Sequence, residues 1–98
     1  MIEDGLKNKI VNILKSIKIQ WNDSEIELLE DLGFVRFDGN NPLYVYRTKM
    51  DNLIIVEKLD YVEAYRINVS KGSKILEADY FQGERNLFLA LIKYKNEY

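Results

Sequence analysis

The chain has no cysteine and no histidine. Without cysteine there are no disulfides, no thiolate metal ligands and no cysteine nucleophile, a usage that suits a reducing cytosol. Without histidine, the most versatile acid–base group at neutral pH and the commonest zinc ligand are missing. Serine–histidine and cysteine–histidine nucleophile pairs are therefore excluded. Proline occurs once, at Pro42, and the glycines are isolated. Gly33, Gly39, Gly72 and Gly83 each fall near an element boundary, where a turn or cap accounts for them, so no glycine-rich phosphate loop is present. No apolar run approaches the roughly 20 residues that a membrane-spanning helix needs. Glu3 and Asp4 stand where an export signal would carry only positive charge, so we expect no signal peptide and a cytoplasmic location.

What remains is an ordinary globular mixture. Hydrophobic residues make up 47 % of the 98 positions and charged residues 31 %, which is too apolar for a disordered chain and sets the size at one domain with one core. The net charge is −2. Residues 1–49 and 50–98 each hold 7 basic and 8 acidic side chains, so neither half offers the basic footprint of a nucleic-acid-binding domain. Locally the signs separate. Lys7, Lys9, Lys15 and Lys18 lie in a stretch without acids, and Asp23, Glu25, Glu27, Glu30 and Asp31 in one without bases. Two neighbouring helices of opposite charge would favour packing side by side.

Periodicity supplies the elements. Ile2, Leu6, Ile10, Ile13, Leu14 and Ile17 recur at spacings of three and four, which predicts an amphipathic helix over 2–18 with the lysines off its apolar stripe. A second helix follows. Asn22 with Glu25, or Ser24 with Glu27, fits a capping box, and with Asn22 as the cap Trp21 and Ile26 form a hydrophobic staple. Trp21 then reads as a structural clamp. Gly33 suits the residue that ends this helix. After it the period becomes two, predicting strands over 34–37, 43–48, 53–59, 61–69 and 74–81. Short turns join them, so neighbours should pair antiparallel in a meander. A closing helix is predicted after Gly83. The order α-α-β-β-β-β-β-α is that of an α+β domain.

The stretch Leu53-Ile54-Ile55-Val56 raises the main functional question. Strand neighbours point to opposite faces, so both faces of this strand are apolar. The second strand sets Leu43 and Val45 against Tyr44 and Tyr46. The fourth sets Tyr61, Tyr65, Ile67 and Val69 against Val62 and Ala64. Several apolar side chains left exposed together would form an adhesive patch. The helices could divide between the faces, a bulge could rotate side chains, or one face could be an interface. Tyrosine is enriched at interfaces, so Tyr44, Tyr46, Tyr61 and Tyr65 are the candidate contact residues for a protein partner or a second copy. Two other chemistries have candidate residues. Lys7, Lys15 and Lys18 with the tyrosines could hold nucleic acid, against an acidic overall balance. Glu77 and Asp79, with Glu57, Glu63 and Lys58 near, could hold a hard metal ion, but solvated strand acids explain them better, because Glu57 and Lys58 must point to opposite faces. No catalytic residue, cofactor or metal ligand is assigned.

The passages "EIELLEDLGFVRFDGNNPLYVYR" and "LIIVEKLDYVEAYRI" resemble small proteins carried by phages and mobile elements of low-GC Gram-positive bacteria, in which an acidic helix ends in Leu-Gly-Phe or Leu-Gly-Tyr and enters a short antiparallel sheet. The resemblance covers about the middle half of the chain. It implies a non-catalytic binder, since such proteins with known roles often block a bacterial enzyme or defence complex, and it carries over no functional residue.

Overall fold

The computed structural model describes residues 20–39, 41–59 and 63–98. A helix, α1 (Asp23–Asp31), leads into strands β1 (Val35–Phe37), β2 (Leu43–Arg47), β3 (Leu53–Leu59), β4 (Ala64–Lys71) and β5 (Lys74–Gln82), and the chain closes with α2 (Glu84–Glu97). The strands form one antiparallel sheet in the order β1-β2-β3-β4-β5, the meander that the short turns predict. The helix expected over residues 2–18 lies outside the described residues, as does the start of the strand expected at 61.

Each turn follows from its residues. Asn22 caps α1, and its backbone N–H donates to Glu25 Oε1 at 2.6 Å, so the asparagine box is the one used. At the other end Gly33 N–H donates to Glu30 O and Phe34 N–H to Leu29 O, both at 2.9 Å. That pair of bonds is a Schellman stop, and it needs the left-handed backbone that Gly33 supplies at φ +89°. Leu29 and Phe34 are both buried, so the stop also closes an apolar contact. In the β2–β3 turn Asp51 takes a positive φ of 64°, and Thr48 N–H bonds Asn52 O at 2.8 Å. The β4–β5 hairpin closes at the Lys71 and Lys74 pair, leaving Gly72 and Ser73 as the turn. This extends β4 two residues past its expected end. A register shift beside Val69 and Ser70 marks a bulge, confined to that hairpin end. The alternation through the middle of the sheet is therefore undisturbed.

α1 and α2 lie on the same side of the sheet. They run in the same direction: Ser24 Oγ donates to Glu84 Oε1 at their starts, and Lys95 Nζ donates to Leu32 O at 2.6 Å near their ends. Beneath them sit Tyr44, Ile54, Val56, Tyr65, Ile67 and Val69, together with Leu29, Leu87 and Leu91 from the helices. The end of α2 is latched to the β2–β3 turn, because Thr48 Oγ1 and Asn52 Nδ2 both donate to Tyr98 O.

Candidate interaction surface

The register fixes which side chains share a face. On the side away from α1 and α2, one row crosses all five strands: Val35, Val45, Ile55, Asn68 and Ala78. A second row runs Arg47, Leu53, Ser70 and Ile75, and a third Glu57, Arg66 and Tyr80. Phe37 and Leu43 are paired on this side at the β1 edge. Among the described residues no helix covers it. Val35, Phe37, Ile75 and Tyr80 are each more than half exposed, while Leu43, Val45, Leu53, Ile55 and Leu59 are half-buried.

The face is mostly apolar with a narrow polar band. Glu57 and Arg66 stand opposite each other, and the Arg66 guanidinium lies over the Tyr80 ring at 5.9 Å. A cation over an aromatic ring keeps a charged side chain flat against the sheet. Arg66 Nε and Asn68 Oδ1, both removed from solvent, have no hydrogen-bond partner.

Of the four tyrosines proposed from the sequence, Tyr44, Tyr46 and Tyr65 lie on the helix side of the sheet. Tyr44 and Tyr65 point under the helices and are about 1 % and 0 % exposed, and Tyr46, half-buried, faces the same way. Burial takes Tyr44 and Tyr65 off the surface, so they are core residues and have no area to offer a partner. Their rings join the aliphatic side chains that fill the space between the sheet and the helices. Tyr61 lies outside the described residues, and so do Lys7, Lys15 and Lys18. Trp21 is the clamp expected of it. Its ring packs edge-on to Tyr44 at 5.1 Å and stacks on Tyr65 at 6.0 Å, and Nε1 donates to Pro42 O at 3.0 Å.

One polar cluster escaped the sequence reading. Glu25 is fully buried. Its Oε1 accepts from Lys58 Nζ at 2.7 Å as well as from Asn22, and Oε2 accepts from the Tyr65 hydroxyl. Lys58 Nζ also donates to Gln20 O at 3.1 Å. The signal was available, since Lys58 is in phase with Ile54 and Val56, both inward. Burial first, and then the bond to Glu25, push the Tyr65 phenol far above its ordinary value, which keeps it a proton donor to the carboxylate. Every oxygen of Glu25 has a donor, so the cluster ties α1 to the sheet and holds no free base.

Glu77 and Asp79 face the helix side at the β5 margin. The hydroxyls of Tyr94 and Tyr98 both donate to Glu77, and Asp79 Oδ1 accepts the Tyr80 N–H at 2.8 Å. Among the described residues no group of three or more potential metal ligands gathers, and no helix is long and apolar enough to cross a membrane. No protein-family model, curated protein or solved structure matches the chain.

Proposed function

We propose that the protein is a small non-catalytic binding module that holds a protein partner, a foreign chain or a second copy, on the open face of its sheet. The observation that carries this is the five-strand row from Val35 to Ala78, flanked by exposed Phe37, Ile75 and Tyr80, on the side that α1 and α2 leave free. Burying one Leu or Ile side chain stabilises by about 1.5–3 kcal/mol, so a partner covering several of these gains a large apolar term. Arg66 and Tyr80 fit the pattern of side chains that carry binding energy at interfaces. The missing cysteine and histidine, and the full occupancy of Glu25, support a role without catalysis. The resemblance to phage and mobile-element proteins supports a more specific reading: a phage-encoded inhibitor or modulator that occupies the surface of a bacterial enzyme or defence complex.

The test is retention of a defined partner by the wild-type chain and by a face variant. Tagged protein, expressed in a low-GC Gram-positive host and run on a sizing column, should form a stoichiometric complex or a dimer. Ile55→Asp should abolish it, while Phe88→Asp, on the helical side, should not. A monomer that binds nothing, or a complex indifferent to Ile55→Asp, would sink the proposal.

A further inference from the structure

The open face of the sheet carries polar groups that lack counterparts. Asn68 Oδ1 and Arg66 Nε are removed from solvent and have no hydrogen-bond partner among the described residues. Both side chains leave β4 on the same side, two positions apart. A desolvated polar atom left unpaired is costly, so an occupant that supplies donors and acceptors along β4 gains more than a purely apolar one.

The register shows where such groups are found. The row from Val35 to Ala78 is the middle one of three. On β3 Ile55 stands between Leu53 and Glu57, and on β4 Asn68 stands between Ser70 and Arg66. A two-fold axis laid along this middle row turns the face onto itself. The middle row meets its own copy, and the Ser70 row meets the Arg66 row. Each polar group then acquires a counterpart. Turning the Asn68 amide over presents either its oxygen or its nitrogen, so two copies of it can exchange a hydrogen bond. The Ser70 hydroxyl accepts from the Arg66 guanidinium of the second copy. Arg47, in the Ser70 row and held only by an exposed 3.2 Å bond to Asp51, comes within one strand of Glu57 of the second copy. Exposed Ile75 falls on exposed Tyr80 of the second copy. The other two-fold axis, along β3, would set Asn68 against Val45 and leave the amide bare.

We infer that the partner is a second copy of this chain, packed face to face about a two-fold axis along the Val35–Ala78 row, with Asn68 against Asn68. This rests on the open-face reading and names its occupant. The area is sufficient. Five strands ~4.8 Å apart and three rows ~7 Å apart make a face of about 24 by 20 Å. Two copies together cover roughly 1,000 Å², the lower end for a specific interface. Facing sheets pack about 10 Å apart with their strands nearly aligned, which this axis permits. A buried asparagine pair fixes register at a cost in stability, so the dimer is specific and comes apart on dilution.

Sedimentation equilibrium of the full chain from about 1 µM to about 1 mM tests the inference. The wild type should pass from monomer to dimer within that range. Asn68→Asp and Asn68→Lys each set like charges on the axis, and each should weaken self-association about tenfold or more. Mixed one to one, the two variants should associate again as a heterodimer, because residue 68 of each chain then meets the opposite charge. Arg47→Glu and Glu57→Arg, at the rim, repeat the exchange should β4 not tolerate a charge. A wild type monomeric throughout would overturn the inference, and the open-face reading would stand if a foreign chain is held and Ile55→Asp releases it. A dimer that Ile55→Asp abolishes, but in which neither mixture recovers, would overturn the axis and the inference while sparing that reading. A dimer indifferent to Ile55→Asp would contradict both.

Discussion

Ile54 and Ile55 are neighbours in β3 and live in different environments: Ile54 is fully buried beneath the helices, and Ile55 is half-buried on the face that no described helix covers. Ile54 is opposed by Tyr46 and Val69, Ile55 by Val45 and Asn68. The fold therefore assigns different work to two identical side chains, and they should respond differently to substitution. Ile54→Ala should cost about 2–5 kcal/mol, the range for truncation in a closed core. Ile55→Thr keeps the β-branch and should cost about 1 kcal/mol or less in the isolated protein. Urea denaturation of both variants checks this. Equal losses would mean that the second face is closed.

The Glu25–Lys58 pair should show strong coupling. Lys58→Met leaves a carboxylate buried without its cation, which costs about 3–5 kcal/mol. Replacing Glu25 by Gln in the same background removes the stranded charge, so the double variant should be more stable than Lys58→Met alone. A double-mutant cycle by chemical denaturation reads the interaction directly. Additive losses would contradict the buried pair.

Much of this was legible in the sequence. The capping box at Asn22, the stop at Gly33 and the five-strand meander are local, set by residues within a turn of one another. The alternation in β3 was legible too. Which face the helices cover was not. β2, β3 and β4 carry apolar side chains on both sides, so periodicity cannot choose between Tyr44 with Ile54 and Val45 with Ile55. The tyrosines suggested an interface because of their chemistry, and packing used them for their volume. β5 held a clue of the opposite sense: Glu77 and Asp79 lie on the helix side at the margin, where Tyr94 and Tyr98 reach Glu77, while Ala78 and Tyr80 extend the open face. The Glu25 and Lys58 contact joins residues 33 positions apart, beyond any local pattern.

Alkali should destabilise the fold. Burial first, and then the charge of Glu77, push the Tyr94 phenol up to about 12, from an ordinary value near 10, and Tyr65 is raised as well. A raised tyrosine binds its proton longer in the folded state than in the unfolded one. Its contribution is complete below about pH 10 and is lost as pH rises toward and through the folded value. Stability should fall by up to about 1.4 kcal/mol per pH unit for each of these two tyrosines above pH 10. Urea midpoints across pH 8–12 measure it, and Tyr94→Phe should flatten the slope. An unchanged midpoint over that range would contradict the assignment.

Gly33→Ala should destabilise by about 1–2 kcal/mol. The position holds φ +89°, and an added Cβ would stand 3.3 Å from the Tyr46 ring. That ring carries Lys95 Nζ at 4.4 Å from its centroid, so the substitution should also disturb the seat of α2. Thermal melting and the Tyr46 ring resonances report both effects. A melt identical to wild type would show that the turn relaxes freely.

If a partner binds as proposed, the face bearing Val45 and Ile55, which α1 and α2 leave open, is exposed in the free protein and covered in the complex. Hydroxyl-radical footprinting of the full chain, free and partner-bound, measures this side chain by side chain. We predict heavy labelling of Phe37, Leu76 and Tyr80 in the free monomer, little labelling of Tyr44 and Tyr65, and loss of labelling at the first three on binding. Weak labelling of Phe37, Leu76 and Tyr80 in the free monomer, or labelling that the partner leaves unchanged, would contradict the claim.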